Sequence, residues 1–197
     1  MPTSLPSPTA AARSAAVAPV APAIDPERRR AAASHFYARL CAALSKGSLV
    51  LGIIGLLGII VSVQTQVVGR YVFNDTPTWT EALALQLVLY VTALGVAVGV
   101  RDAGHIGLES LVALLPEGLR LKVELLIHAL VALFGGIMAW SGWIWVGYKW
   151  DELDPMLGLP VGLDYLSMVI AGVLIVLFSI EHIVALLRGE DVVPAWH

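Results

Sequence analysis

Four stretches of this chain contain no Asp, Glu, Lys or Arg: Gly47–Gly69, Ala82–Val100, Leu125–Tyr148 and Tyr165–Ile180. No other feature constrains the fold as strongly. A helix rises about 1.5 Å per residue, so about 20 residues cross a ~30 Å hydrocarbon layer. The first three stretches reach that length as they stand. The fourth reaches it with Leu159–Asp164 or Glu181–Leu187 added, which puts Glu181 and His182 near the interface. Lipid offers no partner to a backbone N–H or C=O, so each crossing segment must satisfy its own hydrogen bonds as a helix. A membrane strand would alternate polar and apolar residues, and these stretches do not. The sequence therefore predicts an all-α fold, a four-transmembrane-helix bundle with spans at about 44–69, 79–101, 120–149 and 161–187.

Composition agrees. Hydrophobic residues make up 58% and charged residues 14%, against about 25% charged in soluble domains. This argues against a water-soluble enzyme. The net charge of −3 gives no basic field for nucleic acid. The single cysteine, Cys41, forms no internal disulfide, and no Cys/His zinc spacing occurs.

Charge in the connecting segments sets the expected orientation. Ten of the 12 basic residues fall before span one, between spans two and three, or after span four. Only Arg70 and Lys149 fall in the other two loops. The positive-inside rule then places both termini in the cytoplasm. Tyr71, Trp79, Trp143, Trp145, Tyr148, Trp150 and Tyr165 gather at the opposite interface, where amphipathic rings sit best.

Local signals divide the rest. Residues 1–30 are an Ala/Pro-rich tail with no hydrophobic periodicity, and such a composition reads as disordered. Five prolines within residues 2–22 and the lack of a continuous apolar core argue against a secretory signal. Residues 31–46 suit a short amphipathic helix leading into a membrane domain over 31–190, and 191–197 form a short tail. Thr78-Trp79-Thr80-Glu81 fits a capping box, with Thr78 as the cap of span two. His105–Leu115 is too short to span but carries one apolar face, so it reads as a short interfacial helix between spans two and three. Gly95 and Gly99 make a GxxxG on span two. Gly52, Gly55 and Gly58 recur on span one, and Gly135 with Ala139 on span three, as expected where helices pack closely.

The search for chemistry finds little. Gln64, Thr65, Gln66, Gln86, Thr92 and Ser141 are the polar residues within the spans, and interhelical hydrogen bonding accounts for such groups. No Pro-interrupted helix pair or inverted repeat marks a solute path. No nucleophile elbow, P-loop or dinucleotide fingerprint is present. His128 and His182, at similar depth on different helices, could ligate a haem iron. That is the alternative reading, a redox membrane anchor; a standalone small channel or carrier is a third.

Three motifs combine in order. Arg70-Tyr71-Val72-Phe73-Asn74 closes span one, Trp79-Thr80-Glu81 opens span two, and Arg101-Asp102-Ala103-Gly104-His105-Ile106 follows it, with Leu115-Pro116 beyond. With these the chain resembles, over roughly residues 40–190, the small membrane subunit of the tripartite ATP-independent periplasmic (TRAP) transporters. Ala82 stands where that family often has a second acidic residue. The resemblance implies a non-catalytic small permease of the bacterial inner membrane with no cofactor. Its partners would be a large multi-span permease, a periplasmic substrate-binding protein and membrane lipid. The system would take up an organic anion, a carboxylate, coupled to sodium. It also implies that Arg70, Tyr71, Asn74, Trp79 and Glu81 brace the first two spans and shape the docking side, and that Arg101, His105 and Ile106 brace the opposite turn.

Overall fold

The computed structural model describes residues 26–103 and 117–188, with side chains over 37–102 and 119–188. The elements are helical: α1 (Pro26–Val72), α2 (Thr78–Val98) continued by a π-helical turn over Gly99–Ala103, α3 (Glu117–Tyr148) and α4 (Gly162–Arg188). Among the described residues there is no strand, only an isolated bridge between Leu153 and Pro160. Four segments are long and apolar enough to cross a membrane: Tyr37–Val72, Thr78–Asp102, Leu119–Tyr148 and Gly162–Arg188. The expected four-span, all-α architecture is therefore observed. Two units are distinguished, Met1–Phe36 and Tyr37–His197. The second holds the bundle. Its loop end bears the α1–α2 and α3–α4 connections, and the opposite end, called the termini end, holds the start of α3 and the last turns of α2 and α4.

Two boundaries differ from the sequence reading. Helix α1 reaches back to Pro26, so residues 26–30 are helical rather than part of the tail. The helix expected over residues 31–46 is the early part of α1 itself, because no Pro or Gly interrupts the chain before Gly47. The span-two cap is also different. Pro77, extended at φ −64° and ψ 115°, is the N-cap, and no side chain caps the helix. Thr78 is already the first helical residue. Thr80 is fully buried and its hydroxyl donates to the Pro77 carbonyl at 2.6 Å. Proline before the helix presets the entry, and the threonine that matters faces inward instead of capping. The interfacial helix expected over His105–Leu115 lies outside the described residues.

Helix α4 is the centre of the bundle. Of its most apolar window 39% is buried, against 6–17% for the other three spans. Its inward line, Ser167, Ala171, Leu174, Ile175, Phe178 and Glu181, recurs at helical spacing. Helix α3 approaches it over glycine. A β-carbon on Gly172 would sit 2.6 Å from both the Gly135 carbonyl oxygen and the Ala139 nitrogen. The expected Gly135–Ala139 face is thus the α3–α4 contact. Lipid supplies no hydrophobic drive between helices, so close backbone approach is what holds such a pair.

Helix α1 uses another pattern. Cys41, Ser48, Gly55, Ser62 and Gly69 recur every seven residues. All are buried except Gly55, which is half-buried with its Cα facing Val91. A seven-residue repeat keeps one narrow seam against a partner helix. Of the expected Gly52-Gly55-Gly58 set, Gly55 and Gly58 meet Val91 and Leu87 of α2, while nothing lies within 4 Å of a β-carbon at Gly52. At 36 residues, Tyr37–Val72 is about 54 Å long. That exceeds the hydrocarbon thickness and calls for tilt or projection beyond it.

These contacts predict an asymmetric response to added methyl groups. Gly172→Ala must push α3 and α4 apart, and overpacking of this kind costs about 1–3 kcal/mol. Gly136→Ala, with nothing within 4 Å, should be neutral. Thermal unfolding of the two variants in detergent reads the difference.

Candidate functional site

The termini end contains a cluster of charges inside the bundle. Arg101 and Asp102 are only 3% and 8% exposed, and Glu181 only 5%. The family resemblance implies that Arg101 braces a turn, and the run of apolar residues puts Glu181 near the interface. Both side chains are buried and joined to each other. The Arg101 Nε donates to Glu181 Oε2 at 2.9 Å and its Nη2 to Oε1 at 3.0 Å. Its Nη1 donates to Asp102 Oδ1 at 2.5 Å. The guanidinium also lies 6.0 Å from the Phe178 ring centroid. A planar fork that holds one carboxylate with two parallel bonds and reaches a second is what arginine offers and lysine does not. Charges taken out of water cost several kcal/mol each unless paired, and in a membrane bundle they face one another for that reason.

The π-turn makes the cluster possible. Neighbouring residues on an α-helix point about 100° apart, and the wider turn carries one extra residue into the same arc. Arg101 thus reaches α4 while Asp102 reaches α1, whose buried Ser45 donates to Asp102 Oδ2 at 2.6 Å. One turn and two turns earlier on α1, Cys41 and Tyr37 lie on the same face. The Tyr37 hydroxyl donates to the Leu177 carbonyl at 2.6 Å. Two adjacent residues thereby tie three helices together.

His128 and His182 do come together, but not as haem ligands. Their rings stack with centroids 4.6 Å apart and planes 4° from parallel. Imidazole lone pairs lie in the ring plane, so two face-to-face rings cannot aim at an iron between them. His182 Nε2 is also 2.9 Å from the Arg101 carbonyl oxygen. That oxygen only accepts, so this nitrogen carries a proton and donates. Among the described residues no group of three His, Cys, Asp or Glu side chains is placed to hold a metal.

The loop end is built around Asn74. Its φ of 53° is left-handed, a conformation asparagine tolerates. The turn brings the Asp75 N–H to the Gly69 carbonyl at 3.0 Å, and Phe73 N–H donates to the same oxygen at 3.2 Å. Any side chain at Gly69 would meet the Asp75 oxygen and Pro77 at under 3 Å. Arg70, Tyr71, Trp79 and Glu81 are exposed. Beside them a groove of about 550 Å³ runs along Ile60, Gln64, Thr65, Val68 and Phe73. Across the loop end, Tyr90 donates to the Leu163 carbonyl at 2.8 Å, and Tyr165 stacks on Trp145. In the α3–α4 loop, Asp154 Oδ1 accepts from the N–H groups of Met156 and Leu157. Lys149, partly exposed, pairs with Glu152, which holds its ammonium above the usual value.

Of the other expected residues, His105 and Ile106 lie outside the described residues. Nothing lies within 4 Å of a β-carbon at Gly95 or Gly99. Thr65 donates to its own helix at Val61. Gln86 lies against Tyr90 and Asp164. Side-chain hydrogen bonds between helices are made by Tyr37, Ser45, Ser62, Tyr90, Arg101 and His182, and the polar residues picked out within the spans from sequence are not among them. The available signal was a single acid, Glu181, inside a helix that holds no other Asp, Glu, Lys or Arg from Tyr165 to Leu187.

Comparison with known proteins bears on both ends of the bundle. The model for the DctQ component of tripartite ATP-independent periplasmic transporters matches residues 59–189. A TRAP transporter small permease protein of Haemophilus influenzae is 27% identical over 146 residues, 72% of this chain and 89% of its own length. The sialic acid TRAP transporter small permease SiaQ of Vibrio cholerae is 26% identical over 140 residues, 68% of this chain and 78% of its own. A third match, 35% identical over 92 residues, covers 45% of this chain but only 14% of the sialic acid TRAP transporter permease SiaT of H. influenzae. The segment similar to this chain there is a small part of a much longer permease. With a family match over most of the bundle and four helices fit to span a membrane, the chain belongs to the DctQ family: it is a non-catalytic small permease component of a TRAP transporter, a multi-pass protein of the bacterial inner membrane.

Proposed function

We propose that this subunit is a scaffold: it holds the large permease in place while that subunit moves solute, and it helps dock the periplasmic binding protein at the loop end. The observation that carries the reading is the buried Arg101–Asp102–Glu181 cluster. The charges buried inside the bundle at this end, Arg101, Asp102 and Glu181, are consumed in joining this chain's own helices, which is what a rigid support needs. The match inside the longer SiaT permease supports close association with the large subunit, since a similar segment is there part of one chain with it. The solute class is an organic anion. Two relatives are named for sialic acid, a sugar that carries a carboxylate, and sodium is the coupling ion that suits such a system. The exposed Arg70, Tyr71, Trp79 and Glu81, set by the Asn74 turn, are the side chains offered to the docking partner. Both termini lie in the cytoplasm in this arrangement, as the basic residues direct.

Two experiments test the reading. Deleting the gene should abolish uptake by the intact three-part system, and the tagged chain should co-purify with the large permease. Intact uptake in the deletion strain together with no association would end the scaffold proposal. For orientation, a cysteine replacing Asp151 should react with a membrane-impermeant maleimide added to the periplasmic side, and one replacing Lys122 should not. The opposite pattern reverses the topology.

A further inference from the structure

The buried cluster has a geometry that a simple salt bridge does not require. Two residues adjacent in sequence contact two different helices, and the π-turn that continues α2 brings both side chains into the arc between those helices. Arg101 holds α4 through both Glu181 oxygens, and Asp102 holds α1 through Ser45. Elsewhere along its length α1 rests on α2 through short groups, at Gly55 and Gly58 and through Ser62, whose hydroxyl donates to the Thr80 carbonyl at 2.7 Å. Contacts between small residues fix how closely two helices approach but resist sliding weakly, because no long side chain interlocks. A charge-assisted bond from a fully buried serine fixes both distance and register.

We propose that Arg101 and Asp102 are the positioning residues of the subunit, setting the angle and register of α1 on the other helices through Ser45 and thereby the surface that α1 presents. That this surface meets the large permease rests on the scaffold reading above. The positioning itself does not, and it can be measured on this chain alone. The competing role for charges inside a membrane bundle is an ion path. A path depends on which residue carries which charge. A clamp depends only on one cation lying between two carboxylates.

The experiment uses the full-length chain in lipid nanodiscs, with spin labels on exposed positions. One pair, at Ile54 and Phe134, reports α1 against α3. A second, at Leu85 and Val173, reports α2 against α4. Cys41 is fully buried and stays unlabelled. Ser45→Ala removes only the bond between α1 and Asp102 and leaves the Tyr37 contact with α4 in place, so the first distance distribution should shift and broaden while the second stays as it was. Arg101→Met should disturb both. The exchange Arg101→Glu with Glu181→Arg keeps one cation between two carboxylates and should return both to the original width. The proposal is overturned if Ser45→Ala leaves the α1–α3 distance unchanged, if it broadens both pairs alike, or if the exchange fails to restore them. Co-purification with the large permease is scored separately. A restored distance without association would defeat the scaffold reading and leave the positioning role standing.

Discussion

The bidentate contact between Arg101 and Glu181 is the interaction on which the other contacts at the termini end depend. A guanidinium and two carboxylates buried among apolar helices are tolerable only together, because each alone would carry the full cost of leaving water. Pairing them fixes the depth of α2 against α4. It also frees Asp102 to hold α1 and places the Arg101 carbonyl against His182. The helix that ends in this cluster is also the most buried. Helix α4 carries Phe178 and Glu181 one turn apart on the same face, so the aromatic packing and the ion pair reinforce one registration.

Away from the cluster the bundle follows the rule that lipid imposes. Apolar side chains gain nothing by leaving lipid for a helix interface, so the interfaces are made where backbones come near. Glycine does this between α3 and α4, and a seven-residue repeat of Cys, Ser and Gly does it along α1. The large apolar residues, among them Ile54, Leu57, Phe134 and Trp140, lie outward. This inverts the pattern of a soluble bundle, and a reader looking for leucines in the core would assign the faces backwards. The serines of α1 show the same logic. Each is small enough to sit in a seam, and Ser45 and Ser62 also carry a hydroxyl that finds an acceptor on α2.

The supporting role proposed above draws on the inside of the bundle. Its buried charges bind its own helices to one another, and glycines make internal contacts at Gly135, Gly142 and Gly172. The loop end is different in kind. There the left-handed Asn74 and the close turn at Gly69 hold a short connection that displays Arg70, Tyr71 and Trp79. A rigid base with a shaped, polar-rimmed end is an arrangement suited to binding other subunits rather than to moving solute through itself.

The sequence alone determined the number of spans, the helical character of each and the family. These follow from local quantities: runs of residues without charge, the fixed rise of a helix, and motifs of adjacent residues. Only the tertiary structure decided which residues meet. Arg101 and Glu181 are eighty positions apart, and nothing in either's neighbourhood names the other. The π-turn from which Arg101 and Asp102 reach α4 and α1 is likewise seen only once those helices are in place. Thr78 and Thr80 show the same limit at short range, since the pattern offered Thr78 as a cap, whereas no side chain caps the helix and Thr80 is the threonine that is buried. Charge placement told where the membrane lies. Packing told what the few buried charges are for, because an ion pair in lipid is defined by its partner and not by its position in the chain.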